Sequence, residues 1–448
     1  MKKLLFASFV LWLTLWAVSA SAEELTLEQA IKLALENNQL LQASEHNTAA
    51  AEWAFRRSIS SWLPHASFQW GWSHPDPRTF DRANQSFLTM RRYSSSAQQT
   101  LFEDNYAASV QVVQPLFNAS SEYLAIHGAD INERIARLTE ADQSLQLVRK
   151  VKQAYYNAGR SQAMIRVAHE SLRLAQESLK LTQARVEVGQ AAESELLRWE
   201  AQVASAEGAV LEAENAYAQS IMALAYLIGR PIEGSYQLAE LSRDVSPDAL
   251  TAAERAAGAG ENTTLTVDRH PSVRAAVGNI DLAEVEYDRT WGSMLPSANL
   301  TYTYDWATND TPLPDGERSW TLGVGVSLPL FQGFGAVTGM LQTDQQVQSA
   351  RLQVEDYKRT LLQQAYAARL NLRSARLRVI TAQKAVKSAA ANQDLVRSQM
   401  EVGIATNLQL LDAQLALRNA QSDLLNAVAD FYSAMADWDY VTAQARGE

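Results

Sequence analysis

A single numerical offset, 214, organises this chain. Leu196 and Leu197 recur at Leu410 and Leu411, Ala206 at Ala420, Leu211 at Leu425, Ala213 at Ala427 and Tyr217 at Phe431, all at that offset without a gap. The matched segments open at Val-Gly breaks in long helical patterns, VEVGQAAESELLRWEAQ (Val186 to Gln202) and MEVGIATNLQLLDAQLA (Met400 to Ala416). Glycine commonly ends a helix, so one such break says little. Two breaks at the same place in a gapless match indicate a duplication. The fold must then be two copies of one motif.

The first copy spans residues 23–231, a linker 232–268, and the second copy 269–448. A first helix is expected over Leu25 to Ser61, where Leu27, Ile31, Leu35 and Leu40 keep helical spacing and Thr26 with Gln29 can cap the start. After Trp62-Leu63-Pro64 the period changes to two: Phe68, Trp70 and Trp72 alternate with Gln69, Gly71 and Ser73. A second alternating run reaches Val110 and Val112 and stops at Gln114-Pro115-Leu116-Phe117. From Ser120 to Val188 no proline intervenes, and Leu138, Leu145, Val148 and Val151 recur near heptad spacing. Such a helix is a rod of roughly 100 Å. A return helix over Ala192 to Ile228 ends at Gly229-Arg230-Pro231. The linker carries Ala257 to Gly260, a small-residue stretch expected as loop.

The second copy replays this order. His270-Pro271 opens a helix to about Gly292, Met294-Leu295-Pro296 echoes Trp62-Leu63-Pro64 at an offset of 232, and Leu300, Tyr302, Tyr304 and Trp306 alternate with polar residues. Leu322, Val324, Val326 and Leu328 alternate with Gly and Ser as far as Pro329-Leu330-Phe331, which matches Pro115-Leu116-Phe117 at 214. The difference between the two offsets, 232 against 214, places one insertion inside the first strand hairpin, where loop tips tolerate it. Pro64, Pro115, Pro296 and Pro329 are expected at helix–strand junctions, because proline cannot continue a helix and favours extended backbone before it.

Lys2 and Lys3, an apolar run from Leu4 to Val18 and Ala20-Ser21-Ala22 read as a secretory signal over residues 1–22. Without it the formal charge moves from -11 to -13, with 37 basic against 50 acidic residues. That balance excludes nucleic acid as a natural partner. Cysteine is absent, so disulfides, zinc–thiolate sites and Cys nucleophiles are excluded. No later apolar stretch reaches the roughly 20 residues of a membrane helix. Entry into a membrane would have to be as strands. Trp70, Trp72, Tyr302, Tyr304, Trp306 and Trp320 then read as a lipid-facing girdle over a polar lumen; the other reading is the core of a soluble β-domain. Two copies supply four strands per chain, too few to close a barrel, whereas three chains supply twelve.

Over essentially its whole mature length the chain resembles the TolC-like outer membrane efflux family. The resemblance is carried by Leu63-Pro64 and Leu295-Pro296 before the first strands, the Pro-Leu-Phe after the second strands, Arg269-His270-Pro271, and above all VGIATNLQLLDAQ over Val402 to Gln414. It implies an α+β membrane protein: a homotrimer with a twelve-stranded outer-membrane barrel continued by a long α-helical coiled-coil barrel, and an equatorial region near the linker. It also implies an exit duct for a tripartite efflux pump or type I secretion system, in outer membrane lipid, with a periplasmic adaptor and an inner-membrane transporter as partners and no cofactor. Leu408 and Asp412 match the gate of the OprM-like branch; Gln409 stands where the TolC branch has a second acidic residue, and Glu195 and Arg198 lie on the first-copy tip. Three Asp412 carboxylates about 8 Å apart would repel by about 2 kcal/mol per pair at an effective dielectric near 20, so a closed ring calls for screening or cationic partners. Val188-Gly189-Gln190-Ala191-Ala192 and Val402-Gly403-Ile404-Ala405-Thr406 match the adaptor-contact tips.

Catalytic signals are missing from the motifs: the six histidines are scattered, no His-Glu-x-x-His occurs, and no Gly-rich loop follows a strand. The competing non-channel reading is a soluble periplasmic coiled-coil scaffold or adaptor. It accounts for the helices and leaves the alternating aromatic strands unexplained.

Overall fold

The computed structural model describes residues 24–74, 76, 78, 104–231, 237–239, 245–258, 267–308 and 316–443. The expected signal segment and most of the expected insertion lie outside them. Contacts divide the chain into two units, one built from residues 1–46, 138–274 and 355–448 and the other from 47–137 and 275–354.

The larger unit is helical. It opens with β1 (Glu24–Leu25) and α1 (Leu27–Asn37), followed by α2 (Gln39–Ser58), of which only the start belongs to it. Thr26 and Gln29 form the expected capping box: the Gln29 N–H donates to Thr26 Oγ1 at 3.3 Å and the Thr26 N–H to Gln29 Oε1 at 2.9 Å. The first helix is not continuous, however. Asn38 breaks it, accepting from the amides of Leu40 and Leu41 at 3.1 and 3.2 Å and donating to the Leu227 carbonyl at 2.9 Å. A side chain that caps a new helix competes with continuing the old one. Leu40, counted among the apolar positions, is consequently exposed, and Leu41 is buried in its place.

The dominant elements are α3 (Ser121–Glu187), which belongs to this unit from Leu138 onward, and its return helix α4 (Glu193–Leu227), then α7 (Gly335–Glu401), which belongs to it from Glu355 onward, and α8 (Asn407–Val441). α3 and α7 have 67 residues each and α4 and α8 have 35 each. Every boundary of the later pair matches its counterpart at the same offset of 214. Between the pairs in the chain stand β4 (Gln237–Leu238), α5 (Pro247–Gly258) and α6 (Pro271–Gly292), of which α6 belongs to this unit only as far as Arg274. The linker is therefore not plain loop: β4 pairs in parallel with β1, and Ala257-Gly258 end a helix whose Ala253 is buried. The apolar Val245, Ala249, Leu250 and Ala253 sit on the core and stabilise this helix.

Two cores hold the unit. One joins α1, α3 and α4 through Ala30, Ala34, Val151, Tyr155, Leu224 and Ile228. The other joins α5, α7 and α8 through Ala253, Leu372, Val379, Val428 and Phe431. Tyr156 touches both, and its ring stacks on Tyr432 with centroids 4.2 Å apart and planes 7° from parallel. Each fully buried large side chain contributes about 1.5–3 kcal/mol.

His270 explains the Arg-His-Pro opening of α6. It is fully buried; its Nδ1 accepts the Ser272 N–H at 3.3 Å and lies 2.6 Å from Ser272 Oγ, while Nε2–H donates to the Tyr440 carbonyl at 3.1 Å. The imidazole thus caps the helix from the position before Pro271, where no N–H is lost. Burial holds its pKa below the ordinary histidine value, although Asp142, 3.9 Å away, pulls upward.

The smaller unit carries a four-stranded antiparallel sheet of β2 (His65–Ser73), β3 (Asn105–Asn118), β5 (Ser297–Thr308) and β6 (Glu317–Ser327), in the order β2-β3-β5-β6. Pro64 and Pro296 immediately precede β2 and β5, and Pro329 follows β6, as expected of junctions. Pro115 departs from that expectation. It lies inside β3, which continues to Asn118 with a register shift between Pro115 and Phe117. Proline has no N–H for the ladder and is tolerated where a bulge has already interrupted it. The turn into α3 is made instead by Ala119 and Ser120, with φ of 52° and 63°. At the matching positions before α7, Gly333 and Phe334 take φ of 59° and 64°.

A group whose folded pKa is depressed below its unfolded value loses protons on folding. His270 therefore stabilises fully above the unfolded value near 6.5, and that contribution is lost as pH falls toward the lower folded value. Thermal stability of the wild type should drop between pH 7 and pH 5. His270→Ala should lower Tm at pH 7, at a cost of about 1–3 kcal/mol, and flatten that pH slope; an unchanged Tm and slope would refute the capping role.

Candidate functional site: a two-faced sheet and the hairpin tips

Cross-strand register sorts the sheet's side chains. Trp70 stands opposite Ala108, which faces Trp306, which faces Arg318; Phe68, Val110, Tyr304 and Trp320 form the next row, and Ala66, Val112, Tyr302 and Leu322 the one after. Directly opposed residues share a face in an antiparallel sheet. All six expected girdle residues therefore lie on one side, with Val324 and Val326 continuing it. The other side carries Ser67, Gln69, Gly71, Ser109, Gln111, Thr301, Thr303, Asp305, Ser319, Thr321 and Gly323.

The apolar side is uncovered. Trp70, Trp320 and Val326 are 52%, 65% and 70% exposed, and of the described strand residues in the sheet only Ala108 is buried. No helical core of the described residues includes a residue of this four-stranded sheet. A soluble β-domain would place its aromatics inside. Arg318 is the single charged residue on this face among the described strand residues. The outer edges of β2 and β6 pair with no strand among the described residues. The aromatic exposure continues to Phe117 near the end of β3 and past the strands to Trp62, Phe331 and Phe334, a set that periodicity does not reveal because it falls where the period breaks.

In the helical unit the two tips have the same construction. Gly189 and Gly403 take φ of 73° and 78°; their amides bond Val186 and Met400 carbonyls, and the following Gln190 and Ile404 amides bond Arg185 and Gln399 carbonyls at 2.7 and 2.8 Å. These are glycine C-caps, where a Cβ would be strained. Val188, Val402 and Ile404 are exposed on them, as are Ala192 and Thr406, while Ala191 and Ala405 are half-buried.

The expected gate residues do not form one cluster. Leu408 and Asp412 are exposed on one face of α8, one turn apart. Gln409 is committed elsewhere: with Thr406 it makes a capping box, the Thr406 N–H donating to Gln409 Oε1 at 2.8 Å and the Gln409 N–H to Thr406 Oγ1 at 3.3 Å. Threonine followed at the third position by glutamine is itself a cap signature in the sequence. Glu195 accepts from Asn407 Nδ2, which ties the two tips side by side. Arg198 is exposed and makes no ion pair with Asp412. Trp199, one residue on, is fully buried; its heptad spacing to buried Ala206 is the signal the sequence offers for it. Beside the tips is a cleft of about 590 Å³ floored by Leu174, Leu181, Met400 and Leu410 and edged by Arg185 and Arg397. Among the described residues no group of three or more His, Asp or Glu could hold a metal ion.

The profile of outer membrane efflux proteins matches residues 30–230 and 263–437. The chain belongs to the outer membrane efflux protein family. It is 26% identical over 147 residues to the outer membrane efflux protein BepC of Brucella suis biovar 1 (strain 1330), an alignment that spans only 32% of either chain. Among solved structures it resembles CusC, with a TM-score of 0.77 at 16% identity over 93% of this chain and 91% of that one. It also resembles VceC of Vibrio cholerae, with a TM-score of 0.75 at 16% identity over 93% and 95% of the two chains. The open-state MtrE channel of Neisseria gonorrhoeae matches at 0.73 and 19%, over 93% and 88%. At these identities the likeness is one of fold.

Removing the tip's capping box should loosen it locally. Thr406→Ala is expected to cost about 1 kcal/mol and to raise hydrogen exchange at the Gln409 and Leu410 amides roughly fivefold, leaving the α8 core at Phe431 unchanged. Equal exchange in both proteins would show that the cap does not hold the tip.

Proposed function

We propose that this protein is the outer membrane exit duct of a tripartite efflux pump, passive in itself, with energy supplied by an inner-membrane transporter through a periplasmic adaptor. The carrying observation is the sheet whose aromatic face is exposed while its opposite face is polar and small. Lipid against the first and water against the second satisfy both. A soluble scaffold would leave that apolar face against water.

Closure follows from the edges. In lipid each unpaired backbone group costs several kcal/mol, so β2 and β6 must find partners. Three copies joined β6 to β2 give a closed twelve-stranded barrel, and the matching lengths and turns of the two helix pairs support reading the chain as two internal repeats. Trp70, Trp72, Tyr302, Tyr304, Trp306 and Trp320 form the outer aromatic belt, with Arg318 reaching headgroup level; Trp62, Phe117, Phe331 and Phe334 form the inner one. The periplasmic end is the pair of tips. Val188 to Ala192 and Val402 to Thr406 present exposed apolar side chains on tight glycine turns, a surface another helical hairpin can approach closely. Leu408 and Asp412 project from α8 toward the trimer axis, giving an apolar constriction beside an acidic ring.

Single-channel recording in planar bilayers tests the gate assignment. Leu408→Ala should raise conductance, while Asp412→Ala should chiefly reduce cation preference and block by multivalent cations. If both variants conduct and select like wild type, these side chains do not face the pore.

A further inference from the structure

Two buried polar side chains near the tips lack partners. Gln393 of α7 and Ser178 of α3 both line the cleft between α3, α7 and α8, and each is more than nine-tenths buried, at 8% exposure. Neither makes a hydrogen bond among the described residues. A buried polar group left without a partner costs about 1–3 kcal/mol. Water could satisfy both groups, but it gains nothing from the apolar walls beside them.

Measured along the helices from their tip ends at Glu187, Glu401 and Asn407, the lining falls into three levels. Arg185 and Arg397 stand about 3 and about 6 Å in. Met400, Leu410 and Leu181 lie between about 2 and about 9 Å, and Gln414, Gln393 and Ser178 between about 10 and about 14 Å. Cations therefore flank the mouth, apolar walls line the outer half, and amides and a hydroxyl gather at the inner end. The carboxylate on the lining, Glu177, is held by Arg173 at 2.5 Å, whereas Arg185 and Arg397 make no ion pair among the described residues. An arginine near the end of a helix also offsets the helix dipole without any ligand. The buried Gln393 and Ser178 thus decide that something binds, and the arginines decide its charge.

Size decides between a molecule and a partner helix. From Leu174 to Arg185 the α3 wall is about 16 Å long. A helix of that length, about 10 Å across, would occupy roughly 1,300 Å³. The cleft offers about 590 Å³, the volume of a small-molecule site.

We propose that this cleft binds an elongated organic anion. Its carboxylate, sulfonate or phosphate lies between Arg185 and Arg397, its apolar body between Leu181, Met400 and Leu410, and a hydroxyl or amide about 8 Å from the charge bonds Gln393 and Ser178. Neither a bare phosphate ion nor an uncharged hydrocarbon satisfies all three levels. Bound there, the molecule touches α3 of the first helix pair and α7 and α8 of the second, and so ties the two hairpins together beside the Glu195–Asn407 hydrogen bond.

The probe is a hydroxynaphthalenesulfonate with its two groups at opposite ends of the ring system, dialysed to equilibrium against the full protein in nanodiscs of zwitterionic lipid, with empty discs as the blank. The same ring system bearing only the sulfonate, or only the hydroxyl, gives the comparisons. Saturable binding of one molecule per chain is expected. Arg185→Gln with Arg397→Gln should weaken both sulfonates about tenfold and leave the uncharged naphthol unchanged. Gln393→Leu should weaken the hydroxylated sulfonate about fivefold and the plain sulfonate not at all. This second variant compares two ligands on one protein, so it decides the matter even where the arginine pair disturbs the tip. Binding that ignores both variants places the probe on barrel or lipid and overturns the site, as does the absence of saturable binding. Equal weakening of both sulfonates by Gln393→Leu overturns the inner hydrogen bond and the ligand class with it.

Discussion

Unpaired backbone at the two edges of a sheet that is also uncovered on its apolar face is the constraint on which everything else depends. Water tolerates the open edges of β2 and β6 and penalises the face bearing Trp70, Tyr304, Trp320 and Val326. Hydrocarbon reverses both preferences. The proposed closure among copies within lipid would satisfy the edges and the face together. A sheet of this kind is thus an instruction to assemble, written into alternation and strand number. The other face, mostly Ser, Thr, Gln and Gly with the carboxylates of Asp305 and Glu317, is compatible with a wet interior.

Much of this is legible in the sequence, for identifiable reasons. The long helices and their returns can be placed within a residue or two because heptad-like spacing persists over many turns, and the Gly-capped tips leave a sharp signature. The sheet faces follow from strict alternation. What pattern alone misses is local side-chain chemistry that overrides it. Asn38 splits an apparently continuous helix by capping its successor, and Pro115 sits inside a strand because a bulge accommodates it. The linker helix Pro247–Gly258 is short and alanine-rich, so its few buried residues give too little periodicity to stand out.

The expected tip residues divide by physical role. Gly189 and Gly403 make the turns, Thr406 and Gln409 cap α8, and Glu195 holds the two tips together through Asn407. That leaves Leu408, Asp412 and Arg198 as side chains whose exposure calls for a role outside the single chain. In the function proposed above, Leu408 and Asp412, one helical turn apart, would fill that role together as a constriction.

The central claim is that even-numbered residues of β6 face lipid and odd-numbered ones face water. Single cysteines at positions 319 to 326 of this cysteine-free chain, spin-labelled in reconstituted bilayers, measure that directly through relaxation by oxygen, which concentrates in lipid, and by a polar nickel complex, which stays in water. Oxygen should dominate at 320, 322, 324 and 326 and nickel at 319, 321, 323 and 325. Uniform access to nickel along the strand, or no alternation at all, would contradict the account.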